Sequence, residues 1–207
     1  MVKTKMAVLI SGGGTNLQAL IDAERAGRIP DGQIALVVSS KPDAYGLVRA
    51  EKAGIKSAVV AIDRSLPESE RQVDFEQRLS ELLAENGIEM ILLAGFMRIL
   101  SADFVRNYPE RIINVHPSLI PSFCGDGFYG LKVHEAALAY GVKVTGATVH
   151  FVNEVTDGGK IIFQKAVEIK EGDTAESLQR RVMEEAEWKL LPEAAALVAA
   201  QIRGNKE

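Results

Sequence analysis

Short apolar runs alternate along this chain with longer stretches in which apolar side chains recur every three or four residues. The runs at 6–10, 34–39, 90–93 and 112–115 are rich in β-branched residues and leucine and read as buried strands, with a shorter one at 58–61. Helical spacing marks 16–26, 44–53 and 74–86, the last through Phe75, Leu79, Leu82 and Leu83. Strands separated by amphipathic helices predict a parallel sheet covered on both faces. The pattern changes after Pro117. Residues 118–130 are irregular and glycine-rich, which predicts a loop, and 132–140 a helix. The longer alternating runs at 142–152 and 160–169 predict an antiparallel pair late in the sheet. Residues 174–202 close the chain as a helical segment, interrupted or kinked near Pro192. The expected fold is α/β: a mostly parallel, Rossmann-like, three-layer sheet with an antiparallel C-terminal strand pair, in one domain over 1–207.

The bulk properties narrow the partners. A length of 207 residues suffices for one substantial core, and 47% hydrophobic with 25% charged residues is ordinary for a globular protein. A formal charge of -4 and the lack of a basic run argue against a nucleic-acid-binding face. No apolar run approaches the roughly 20 residues that span a bilayer, and the first residues lack a signal-peptide pattern. Cys124 is the only cysteine, so no internal disulfide can form. A cytoplasmic protein without membrane or nucleic-acid partners is expected. The three histidines and Cys124 have no metal-ligand spacing, so no metal is expected either.

Candidate chemistry concentrates at Asn114-Val115-His116-Pro117-Ser118. Residues two apart on a strand share a side, so Asn114 and His116 present an amide and an imidazole together. Pro117 stops the strand there, leaving both at its C-terminal end, where open α/β sheets bind ligands. An amide donor can stabilise an oxyanion while an imidazole moves a proton near neutral pH, which suits acyl transfer. A second feature is Ser11-Gly12-Gly13-Gly14-Thr15-Asn16, between a strand and a helix. Such a turn aims backbone N–H groups and the positive helix end at one point. Leu17 stands where the dinucleotide fingerprint wants glycine, no acidic residue ends the second strand, and Gly-Lys-Ser/Thr is absent. The loop therefore suggests a phosphomonoester, the alternative being a tight turn in which Thr15 or Asn16 caps the helix.

Taken together, several stretches resemble the folate-dependent phosphoribosylglycinamide formyltransferases. They are Leu9 through Ala19 with the glycine loop, Leu93-Ala94-Gly95-Phe96-Met97-Arg98-Ile99-Leu100, Asn114 through Leu119, Val144 through Val152, and Asp157-Gly158-Gly159, in the family's order. The resemblance implies transfer of a formyl group from 10-formyltetrahydrofolate, as co-substrate, to the amine of glycinamide ribonucleotide. Asn114, His116 and Asp157 would be catalytic: Asn114 and protonated His116 on the oxyanion of a tetrahedral intermediate, Asp157 keeping the imidazole charged. It further implies that Gly14, Thr15 and Asn16 hold the 5′-phosphate. Met97, Arg98, Ile99, Leu100 and Asn114 would line the pterin pocket, with Asn153, Glu154, Val155, Thr156 and Asp157 opposite and Arg71 at the folate's glutamate tail. Aligned back from Pro192, the ribonucleotide contacts fall on Glu184 and Glu187. Neither a metal nor a covalent enzyme intermediate is implied, and the protein would be a monomer or homodimer.

Two departures from the family pattern stand out. The loop from Phe123 to Gly130 is longer, and the segment from Arg181 to Pro192 has one residue more, with Trp188 where histidine is common. On the residues alone, Asp157 before two glycines is a turn aspartate, His134 a solvated or locally bonded histidine, and His150, on an alternating strand with Thr148, either structural or a support behind the site residues. Cys124 is exposed incidentally. Rival readings are a 10-formyltetrahydrofolate hydrolase, a formyltransferase for another acceptor (methionyl-tRNA or a sugar nucleotide), and a binding module without turnover.

Overall fold

Along the first strand, β1 (Thr4–Ile10), Met6, Val8 and Ile10 face one side of the sheet while Ala7 and Leu9 face the other, and all five are fully buried. A strand buried on both faces is apolar at both parities, which is why this one reads as a continuous run. The computed structural model describes residues 2–205. Around β1 stand β2 (Gly32–Ser39), β3 (Ser57–Val59), β4 (Met90–Leu93), β5 (Ile112–His116), β6 (Val144–Phe151) and β7 (Ile161–Glu168). They form one sheet in the order β3-β2-β1-β4-β5-β6-β7. Pairing is parallel from β3 to β5 and antiparallel for β5–β6 and β6–β7. The α/β architecture and its antiparallel end follow the sequence pattern.

The helices supply two separate cores. On one face α1 (Thr15–Arg25) and α7 (Trp188–Gly204) bury Leu17, Leu20, Leu191, Ala195 and Val198 against the Met6, Val8 and Ile10 side, with α2 (Tyr45–Ala53) at the margin. On the other, α3 (Glu68–Glu85) and α4 (Ala102–Arg106) bury Phe75, Leu79, Leu83, Phe104 and Val105. Each of these side chains other than Ala195 contributes about 1.5–3 kcal/mol over its exposed state. The chain continues through α5 (Leu131–Tyr140) and α6 (Ala175–Val182) to a wide π-helical turn, Met183–Glu187, that leads into α7. Among the described residues no helix is long and apolar enough to cross a membrane.

Three elements differ from the sequence reading. Helix α3 starts at Glu68 rather than near residue 74, because Pro67 sets the entry and Glu68 and Glu70 favour the positive helix end. Helix α4 leaves no mark in the apolar pattern: it has five residues, too few for a period, and is nucleated by Ser101, whose hydroxyl accepts from Phe104 N at 3.2 Å. The last helical segment departs from α geometry at Met183–Glu187, ahead of Pro192, which lies inside α7.

Gly146 marks the tightest approach of β6 to β7: a Cβ there would stand 2.0 Å from the Lys165 carbonyl oxygen. Gly146→Ala should lower stability by about 1–3 kcal/mol through overpacking, read as a lower urea midpoint at unchanged slope. An unchanged midpoint would contradict this packing.

Candidate active site

The glycine loop is shaped by two backbones in contact. Gly14 holds φ +70, and a Cβ there would lie 2.7 Å from Gly46 Cα; Gly46 N donates to Gly12 O at 3.0 Å. Only glycine tolerates both the left-handed backbone and that approach. Gly14 is also the N-cap of α1, and no side chain caps this helix, so Thr15 and Asn16 are not the caps one reading expected. The first-turn N–H groups and the positive helix end are therefore left to face the cleft.

Thr15 and Asn16 reach instead to the wide turn. Thr15 Oγ1 donates to Met183 Sδ at 3.8 Å, and Asn16 Nδ2 donates to Glu187 Oε2 at 2.7 Å. Both ends of the turn thus touch the start of α1. An α-helix advances about 100° per residue, so counting back from Pro192 in α register puts Glu184 on the face of Glu187. The wide turn holds one residue more, which brings Met183 to that face. Glu184 is turned outward, where it accepts from Arg180 Nε at 2.8 Å, and it does not line the cleft. Glu187 is buried, and burial pushes its carboxyl up to about 7 against the opposing Asn16 hydrogen bond. Asn16 Oδ1, also buried, has no protein partner.

At the end of β5 the antiparallel register sets Asn114 opposite His150 and His116 opposite Thr148. His150 Nδ1 donates to the Phe151 carbonyl at 2.8 Å, which in the neutral ring leaves Nε2 to accept from Asn114 Nδ2 at 3.2 Å. That bond aims the Asn114 amide and leaves its second N–H free. Asp157, at φ 55 in the β6–β7 connection, lies between two imidazoles: Oδ2 is 3.4 Å from His116 Nδ1 and Oδ1 is 3.6 Å from His150 Nε2. Gly125 N donates to Asp157 Oδ2 at 2.9 Å, and His116 Nε2 donates to the Phe123 carbonyl at 2.8 Å.

Electrostatics at this pair work in opposition. Burial lowers the His116 pKa, while Asp157 and the Phe123 carbonyl resist the fall and His150 adds to it; the net direction is downward. Asp157 is pushed up by burial, yet His150, the bond from the Gly125 amide and the nearby His116 imidazole outweigh this and leave it below the usual range. A pair held wholly as an ion pair would raise His116, so burial is the governing influence on this ring. His134 on α5 is fully buried rather than solvated; burial and then His116 push it down to about 4, and neither ring nitrogen has a partner.

These groups share a cleft of about 840 Å³ that runs from the glycine loop past Asn114 and His116 to 93–100 and 152–157. Its far end is apolar: Met97 and Ile99, both exposed, with Leu100 and Val155. Main-chain bonds fix that wall, Met97 N donating to Ser11 Oγ at 2.8 Å and Gln72 Nε2 to Ile99 O at 3.1 Å. Arg98 lies over the Phe75 ring at 5.4 Å with Nε buried and unpaired, and Arg64 is near enough to depress its pKa after burial has done so. Opposite, Asn153 builds the turn, accepting from Val155 N at 3.0 Å, and Glu154 pairs with Arg106 at 2.6 Å; Thr156 lines the cleft beside them. Arg71 is not brought here. Because α3 begins early, Arg71 sits in its first turns and donates to the Leu66 and Arg64 carbonyls at 2.9 and 3.2 Å. Gly125, Phe123 and Met183 are contacts that motif reading missed, while His150, expected to be structural or to support the site, does support it by meeting Asn114 through strand register. Among the described residues no group of three or more His, Cys, Asp or Glu side chains could hold a metal ion.

A formyl transferase family profile matches residues 4–195. The chain is 48% identical over 198 residues to a trifunctional purine biosynthetic protein adenosine-3 of Gallus gallus, covering 96% of this chain but 19% of that protein. It is 40% identical over 188 residues to a phosphoribosylglycinamide formyltransferase of Haemophilus influenzae, covering 91% of this chain and 84% of that one. A glycinamide ribonucleotide transformylase 1 from Symbiobacterium toebii superposes with a TM-score of 0.86 at 43% identity, over 96% of this chain and 89% of that one. The chain thus spans about a fifth of its trifunctional relatives and most of the single-function ones.

Glu187 gives a pH test of this geometry. Its carboxyl holds a proton more tightly folded than unfolded, so its contribution to stability is full below 4.5 and is lost as pH rises to about 7, while His134, pushed down to about 4, works in the opposite sense over the same window. The urea midpoint of the wild type should therefore fall relative to that of Glu187→Gln as pH rises across that window; a difference that stays constant would mean that Glu187 is not buried as described.

Proposed function

This chain belongs to the formyl transferase family, and on that premise we propose that it formylates 5-phosphoribosylglycinamide from 10-formyltetrahydrofolate in purine synthesis. The observation that carries the reading is one cleft holding an uncapped helix N-terminus at one end, Asn114, His116 and Asp157 at its middle, and an apolar wall at the other. The phosphate of the ribonucleotide fits Gly14, Thr15 and Asn16, where N–H groups and the helix dipole favour an anion. Asn16 Oδ1 and the Glu187 carboxylate are acceptors and suit the ribose hydroxyls. The pterin lies between Met97 to Leu100 and 153–157, the apolar side chains covering its faces. Arg98, with Arg64 beside it, replaces Arg71 as the cation for the glutamate tail.

The amine of the ribonucleotide attacks the formyl carbon, forming a C–N bond as the carbonyl pair moves to oxygen. Asn114 donates its free N–H to that oxyanion. His116 supplies a proton donor: the new negative charge beside the ring raises its proton affinity at the step where positive charge is needed, and Asp157 balances it. The attacking nitrogen then loses a proton, N10 of the folate gains one, and the C–N10 bond breaks to give formylglycinamide ribonucleotide and tetrahydrofolate. Asp157 and His116 carry these protons. An oxyanion contact of this kind is worth about 2.7–4 kcal/mol. The chemistry calls for no metal or nucleic acid, and we assign the protein to the cytoplasm as a monomer or homodimer.

In an absorbance assay with both substrates, His116→Ala and Asp157→Asn should each lower kcat by about 10²–10⁴-fold while moving the melting temperature by only about 2–4 °C. Near-normal turnover in either would remove that residue from the mechanism. Folate turnover without the ribonucleotide would instead identify a hydrolase.

A further inference from the structure

The segment Phe123-Cys124-Gly125 touches both members of the catalytic pair, through the Phe123 carbonyl on His116 Nε2 and the Gly125 amide on Asp157 Oδ2. Its own anchor is unusual. Phe123 has φ 49, a left-handed backbone that a bulky side chain seldom adopts without surrounding support. The support is aromatic. The Phe123 ring stands edge-on to Phe128 at 6.3 Å, within the long loop, and to Tyr140 at 5.9 Å and 74°, on the last residue of α5. Tyr140 is 80% exposed, so core packing is not its use.

We propose that Phe123 and Tyr140 are positioning residues for the His116 imidazole, their ring contact keeping the Phe123 carbonyl on Nε2. A neutral imidazole has one N–H. Left with Asp157 alone, the ring would place it on Nδ1, toward the carboxylate, and Nε2 would be bare. The carbonyl competes for that hydrogen and loads Nε2, where an arriving oxyanion, a stronger acceptor, can take over the bond. Between two acceptors the ring also accepts its second proton more readily. The charged or titratable groups around it are Asp157 from the β6–β7 connection, His150 from β6 and His134 from α5, with Cys124 in the same strap beside Asp157. This inference rests on the formyl-transfer reading for its purpose, though not for its geometry.

The test is ¹⁵N NMR of the His116 ring in the full chain, alongside steady-state kinetics, in Tyr140→Ala and Tyr140→Phe. Loss of an exposed side chain should leave the fold intact. Tyr140→Ala should move the neutral ring toward the Nδ1–H tautomer and the titration midpoint downward, and Tyr140→Phe should restore both. In the same variant kcat should fall about three- to tenfold with KM values kept, and the basic limb of the pH profile should move to lower pH as the imidazolium is lost earlier. A wild-type tautomer and midpoint in Tyr140→Ala overturn the proposal, whatever happens to kcat. If the wild-type chain transfers no formyl group, the function assigned above fails, and the NMR result still decides the positioning.

Discussion

The site depends on the register of β5 against β6. Because the two strands run antiparallel with Asn114 facing His150, the amide and the second histidine meet on one side of the sheet. A slip by one residue would send His150 to the other face and leave the Asn114 amide unaimed. The same reversal carries the chain away from His116 at the end of β6, so the connection at 152–160 has to fold back to deliver Asp157. It does so with Asp157 itself in a left-handed conformation and with Gly159, where a Cβ would come within 1.7 Å of the Phe151 carbonyl oxygen. The geometry of the site and the antiparallel end of the sheet are therefore one construction.

Much of this was legible in the sequence because it rests on period and on local stereochemistry. The strands of the parallel half announce themselves as apolar runs, and Asn114 and His116 share a side by simple alternation. The glycine loop was recognisable by what it lacked as well as by what it held. What could not be read was set by contacts distant in sequence. The start of α3 moved because Pro67 and two glutamates outweighed the apolar spacing, and that shift took Arg71 from the cleft. Glu184 was misplaced because residue counting assumes 3.6 residues per turn. His134 carried no sequence mark of burial; only the packing of α5 seals it. The Phe123 carbonyl and the Gly125 amide are backbone groups, and no motif of side chains can name them.

Several polar atoms around the cleft are buried without a protein partner: Asn16 Oδ1, Arg98 Nε and both nitrogens of His134. Such an atom costs roughly 1–3 kcal/mol, which a fold selected for stability alone would avoid. The Glu187 carboxyl, held near neutrality by burial, belongs to the same pattern. Thr145 Oγ1 and Trp188 Nε1, away from the cleft, share that condition, but most such atoms among the described residues gather at the cleft, where a bound polar molecule would satisfy them.

The π-helical turn at Met183–Glu187 has a consequence for how this chain can change length. In a regular helix an added residue rotates everything beyond it and would swing the buried face of α7 out of its contact with β1. Here the surplus is absorbed within a single turn, so α6 and α7 each keep their phase, and Glu187 stays on Asn16. The helix behaves like a belt with a spare notch: length is added while the buckle stays where it was. Distance in sequence from Pro192 is therefore a poor ruler for position in space, and alignments across this segment are better anchored on Glu187 with the gap placed before it.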